Sequence, residues 1–142
     1  MFMSDVSIIV RKMRLIAEMR LSEFDIGFPE QLVIMYLGAH GASSQTEIVD
    51  EFEIDKGSIA KTLGKLEAKG LIKREENPNN RREKRVELTP AADRILRKMR
   101  SEHKQLDAIM FDGLTEEEIE ATCRALSIIA GNLIEAEGGD RS

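Results

Sequence analysis

The chain has 142 residues, 42% of them hydrophobic and 33% charged, and a formal net charge of −5; this suits one domain with a real core and excludes wholesale disorder. The longest apolar run, Leu32 to Leu37, has six residues, and Met1 to Asp5 lacks the apolar stretch of a secretory signal, so a cytoplasmic protein with no membrane partner is expected. One cysteine, Cys123, and two histidines, His40 and His103, exclude an internal disulfide and argue against a metal site, and no cofactor is expected.

Roughly from Asp5 to Arg20, Val6, Ile9, Val10, Met13, Ile16 and Met19 recur at helical spacing. Gly27-Phe28-Pro29 breaks this helix, and Pro29 suits the first turn of the next. That second helix carries Leu32, Met35, Tyr36 and Leu37 and is expected to end between Gly38 and Gly41. Ser44-Gln45-Thr46-Glu47 is a capping box, in which hydroxyl and carboxylate satisfy opposite orphan amides. It opens a short helix through Ile48, Val49 and Phe52. Asp55 stands where an N-cap acceptor belongs, ahead of a helix over Lys56 to Lys69 with the stripe Ile59, Leu63, Leu66. Leu71 to Glu76 and Glu83 to Leu88 read as strands joined by Asn77-Pro78-Asn79-Asn80. Thr89-Pro90 reads as an N-cap with proline behind it, opening a long helix to about Asp112. Thr115-Glu116-Glu117-Glu118 is a second capping box, opening a last helix through Ile119, Leu126, Ile129 and Leu133. The expected class is mainly α with one small β-hairpin.

Charge is distributed unevenly over these elements. Residues 1–54 carry 4 basic and 9 acidic side chains, residues 55–85 carry 10 and 5, and residues 101–142 carry 3 and 10. A basic block between acidic flanks points to a local anion-binding surface, although the whole chain is negative. On the helix from Lys56, burying the Ile59 stripe puts Ser58, Lys61 and Lys65 on the far side. A short helix, a tight connection and a basic second helix make a helix-turn-helix, whose second helix enters the DNA major groove. Lys61, Lys65, Ser58 and Thr62 are then candidates for base edges or phosphates, and Lys56 for a phosphate. Arg81 and Arg82 at the hairpin suit the narrow minor groove of A·T-rich DNA. Taken singly, each half also reads as a solvated face; adjacent and in this order, they make a winged helix.

Asp55-Lys-Gly-Ser-Ile-Ala-Lys-Thr-Leu-Gly-Lys-Leu-Glu-Ala-Lys-Gly-Leu-Ile-Lys-Arg74, followed by Asn80-Arg-Arg-Glu-Lys-Arg-Val-Glu-Leu-Thr89, closely resembles the MarR family signature. The resemblance runs from about Pro29 to Thr89. It implies a prokaryotic winged-helix regulator, usually a repressor, that binds double-stranded pseudo-palindromic DNA as a homodimer. It makes Lys56 onward the recognition helix, Arg81-Arg82 the wing, and the first and last two helices the dimer interface. One MarR-like domain over residues 1–142 follows, with the winged helix at about 29–89 and dimerisation helices at about 4–22 and 90–137. Interface candidates are Ile8, Ile9, Leu106, Ile109, Met110, Leu126, Ile129 and Leu133.

Three positions depart from the family pattern: Asn80 replaces the wing aspartate, Gly57 a small hydroxyl residue, and Phe28 a capping threonine. Many members release DNA when a small aromatic acid or phenol binds between winged-helix and dimer parts. Arg14, Arg20, Tyr36 and His40 are the candidates for such an effector pocket, and the competing reading pairs the arginines with nearby carboxylates. Cys123, in the last helix rather than near the N-terminus, is expected to be a buried structural thiol. An alternative partner for the basic face is an acidic protein. An enzyme is not expected, because the chain has no G-x-S-x-G, no Gly-rich phosphate loop and no H-E-x-x-H.

Overall fold

A computed structural model of the chain describes residues 1–140; Arg141, Ser142 and the side chains of Arg81 and Asp140 lie outside the described residues. The elements, in order, are α1 (Phe2–Arg20), α2 (Phe28–His40), β1 (Ser43–Ser44), α3 (Gln45–Phe52), α4 (Lys56–Ala68), β2 (Ile72–Asn77), β3 (Asn80–Leu88), α5 (Asp93–Met110) and α6 (Glu116–Asp140). The expected mainly α fold with a β-hairpin is present. Two compact units result, Met1–His103 and Lys104–Ser142. Among the described residues no helix is long and apolar enough to cross a membrane.

Within residues 1–103, α2, α3 and α4 meet over a core that includes Val33, Ile34, Leu37, Ile48, Ile59, Leu63 and Leu66. Val86 of β3 and Ile95 and Met99 of α5 close it. The helix termini follow the local chemistry. Ser44 Oγ accepts from the Glu47 amide while the Glu47 carboxylate accepts from the Ser44 amide, both at 3.0 Å. At α2, where a capping threonine is missing, Glu30 accepts from the Gly27 amide at 3.3 Å and Glu18 from the Phe28 amide at 3.4 Å. This helix runs through Gly38 and ends at His40, within the stretch expected. A β-carbon at Gly38 would lie 2.6 and 2.9 Å from the two Leu96 methyl carbons, so the bare glycine lets α5 approach α2.

The sheet has the order β1-β3-β2, all antiparallel. The two-residue strand β1, which no sequence pattern announces, exists through its pairing of Ser43 with Val86 and Ser44 with Arg85. The hairpin is tighter than expected. Asn77 Oδ1 accepts from the Asn79 amide at 3.0 Å, and Asn80 Oδ1 from the Arg82 amide at 3.1 Å. Only Pro78 and Asn79 therefore form the turn, and positions 81 and 82 lie at the start of β3 rather than in a loop. Thr89 also differs from expectation. Its hydroxyl donates to the Gly70 carbonyl and does not cap a helix; a 3₁₀ turn over Pro90–Ala92 precedes α5.

Within residues 104–142, Thr115 and Glu118 form the expected reciprocal cap, at 3.1 and 3.2 Å. None of residues 104–139 is buried. Cys123 is exposed, which corrects the expectation of a buried thiol: α6 has an apolar stripe, but no described side chain of this helix is buried.

Candidate nucleic-acid interface

The recognition-helix candidate α4 is fixed at both ends and leaves one face bare. Asp55 caps it: Oδ1 accepts from the Ser58 amide at 2.9 Å and Oδ2 from the Ser58 hydroxyl at 2.7 Å. The Ser58 hydroxyl, above all, holds the Asp55 carboxyl below its ordinary range. At the other end, Arg74 of β2 donates to both Glu67 oxygens at 3.1 and 3.3 Å, which lowers the Glu67 carboxyl. Lys69 donates to the Asp25 carbonyl and, at 2.8 Å, to the nearly buried Glu30. Ile59, Leu63 and Leu66 lock the inner side into the core.

Lys56, Lys61 and Lys65 are exposed on α4, and none has an ion-pair partner among the described residues. Ser58 is exposed as well, and Thr62 is half-buried, its hydroxyl donating to the Ser58 carbonyl at 3.0 Å. Arg82 is exposed on β3, whereas the Arg81 side chain lies outside the described residues. A cleft of about 270 Å³ joins helix and wing. It is lined by Gln45 and Thr46 of α3, Lys56 of α4, and Arg74, Arg82, Glu83 and Lys84 of the hairpin. Lys56 and Arg82, which the sequence assigned separately, thus meet at one cationic surface.

Sequence reasoning missed Arg74 and Lys84 in this cleft. Strand periodicity held the signal: Lys84 shares a face of β3 with buried Val86, and Arg74 pairs with Val86 across the ladder. The missing wing aspartate does not unravel the turn, because the Asn80 side-chain oxygen accepts from the Arg82 backbone amide. At Gly57 a β-carbon would come within 3.2 Å of Asp55 Oδ1, so the bare position leaves the cap undisturbed.

The effector candidates fall into separate, internally partnered sets. Arg14 pairs with Glu18 at 3.2 Å, and Arg20 pairs with Glu102 at 2.7 Å, a carboxylate shared with Lys98. Tyr36 and His40 stack with ring centroids 4.3 Å apart, and Phe52 meets Tyr36 edge-on at 5.9 Å. None of the four lines the cleft between α3, α4 and the hairpin.

A model of the MarR family matches residues 24–83, the stretch that carries α2 to α4 and most of the hairpin. This winged-helix stretch is similar to the MarR family. Solved MarR-family structures share the fold well beyond that stretch. A MarR-family transcriptional regulator from Listeria monocytogenes, solved with a 26-mer DNA, is 22% identical with a TM-score of 0.88, covering 94% of this chain and 89% of that one. MepR of S. aureus in its DNA-binding conformation is 24% identical with a TM-score of 0.86, covering 94% and 98%. A crystal structure of MarR itself is 25% identical with a TM-score of 0.80, covering 97% and 94%.

Proposed function

We propose that this MarR-family chain is a sequence-specific DNA-binding repressor of transcription that acts on a pseudo-palindromic operator as a homodimer. One observation carries the DNA reading: Lys56, Lys61 and Lys65, without an ion-pair partner among the described residues, are exposed on an α4 anchored from behind, and Lys56 shares a cleft with Arg82 of the wing. Lys61, Lys65, Ser58 and Thr62 face the major groove, Lys56 takes a phosphate, and Arg81 and Arg82 enter the minor groove.

The dimer reading rests on uncovered apolar side chains at both ends of the chain. In α1, Ile8 and Ile9 are 46% and 49% exposed; in α6, Leu126 and Leu133 are 51% and 66% exposed. Helices that bury nothing are marginal alone in water, and a second copy supplies the missing contact surface. Leu106, Ile109, Met110 and Ile129 extend the same interface. A small aromatic acid or phenolic effector bound at Arg14, Arg20, Tyr36 or His40 has to compete with Glu18 and Glu102 for the arginines.

Fluorescence anisotropy with genomic operator fragments, across a salt series, tests the proposal. The logarithm of affinity falls against the logarithm of salt with a slope of about −0.9 per neutralised phosphate. Half-sites are expected about 10–10.5 bp apart. Undetectable DNA binding at low salt overturns the DNA reading and favours an acidic protein partner. A monomer in sedimentation overturns the dimer.

A further inference from the structure

The hydroxyl groups on the exposed side of α4 have a fixed polarity. Ser58 Oγ lies 2.7 Å from Asp55 Oδ2. Asp55 is held in its ionised form by its bonds to Ser58, so its carboxylate only accepts hydrogen bonds. The Ser58 hydroxyl must therefore spend its single proton on Asp55. Thr62 is bound in the same way, because its partner at 3.0 Å is the Ser58 backbone carbonyl, again an acceptor. What each hydroxyl still offers is a pair of acceptor lone pairs. The neighbouring cavity, about 110 Å³, adds no side-chain donor: beside Ser58 and Thr62 it is lined by Pro29, Leu32, Val33, Phe52, Ile54 and Ile59, whose side chains are pure hydrocarbon. The lone pairs thus remain for a group outside the protein.

This polarity separates the two things that a recognition helix touches. Phosphate oxygens accept hydrogen bonds, so an acceptor-only Ser58 cannot hold the DNA backbone. In the major groove the donors are the N6 amino group of adenine and the N4 amino group of cytosine. Lys61 and Lys65, three and seven positions on, present only donors and suit guanine or phosphate. We propose that Ser58 is a specificity-determining residue that accepts a hydrogen bond from an amino-bearing base, adenine or cytosine, with Asp55 as the positioning residue that sets its polarity. The inference rests on the DNA reading above and goes beyond it to the chemistry of one base position in each half-site.

Two variants test it by selecting bound duplexes from a random pool with the full-length protein. In wild type, one position per half-site is enriched in adenine or cytosine. Ser58→Ala keeps the Asp55 cap on the residue-58 amide and loses that preference by about fivefold, the worth of one ordinary hydrogen bond. Asp55→Asn keeps an equally good N-cap, but its amide group donates to Ser58 Oγ and releases the hydroxyl proton outward. A donor hydroxyl then rejects cytosine, which has no major-groove acceptor, and admits guanine and thymine through their oxygens alongside adenine through N7. Removing the Asp55 charge strengthens binding to all sequences alike, so preference, not affinity, is the readout. The proposal is overturned if Ser58→Ala weakens every sequence equally, or if Asp55→Asn still excludes guanine and thymine at that position. Failure of wild type to enrich any sequence is a different result: it overturns the DNA reading itself.

Discussion

Replacing Gly64 by alanine separates what α4 does for the fold from what it does for a partner. Gly64 is interior to the 13-residue helix Lys56–Ala68. A β-carbon built there meets nothing within 4 Å, so the chain itself has no steric need for glycine. Glycine in a helix interior costs about 1 kcal/mol relative to alanine. Gly64→Ala is therefore expected to raise stability by about 1 kcal/mol, a shift of roughly 3 °C in melting temperature for a chain of this size. The added methyl group sits on the exposed side near Lys61 and Lys65, where the proposed docking would bring DNA backbone or base edges close. There it costs about 1–3 kcal/mol of overlap, so operator affinity falls by about fivefold or more. No charge is removed, so the salt slope stays unchanged. Calorimetry of the protein and anisotropy titrations at several salt concentrations read the two effects. A lower melting temperature refutes the steric argument, because Gly64 would then serve the fold. Higher stability with unchanged affinity refutes the close approach of DNA at this point.

Gly38 predicts the opposite sign for the same substitution. The Leu96 methyl groups must move in Gly38→Ala, and overpacking of about 1–3 kcal/mol outweighs the helix gain of about 1 kcal/mol; urea unfolding reads the loss, and Leu96→Ala in the same chain restores stability. Arg82→Ala weakens operator binding and lowers the salt slope by about 0.9 per protomer if the arginine neutralises one phosphate, with dimerisation unchanged. Monomers in that variant would place Arg82 at the subunit interface. The Asp55 and Glu67 carboxyls lie below their ordinary values of 3.8 and 4.5 in the folded chain. Their contribution is complete above those values and is lost as pH falls through the lowered ones, so unfolding midpoints begin to drop as pH falls below 4.5. Glu67→Gln should show a shallower drop; an identical slope means that the Arg74 contact contributes nothing measurable.

Much of this architecture is local and could be read without a structure. The caps at Ser44, Asp55 and Thr115 are decided within one helical turn, where hydroxyl or carboxylate meets the nearest free amides. The core stripe Ile59, Leu63, Leu66 follows from the helical period alone, and it also puts Lys61 and Lys65 on the outside. The basic block on α4 and the hairpin was legible for the same reason.

Tertiary structure decided what depends on partners distant in the chain. Thr89 has the composition of a helix cap, yet its hydroxyl goes to Gly70, 19 residues away. Strand β1 exists only because β3 offers it a ladder, and Arg74 joins the cationic cleft only because the hairpin register sets it opposite Val86. The apolar period of α6 is plain in the sequence, but the exposure of Cys123 is not: periodicity marks the side that seeks cover, and only the folded chain shows whether it has found any. The direction of the Ser58 hydroxyl belongs to both levels, since the spacing of Asp55 and Ser58 allows the bond and the folded geometry makes it.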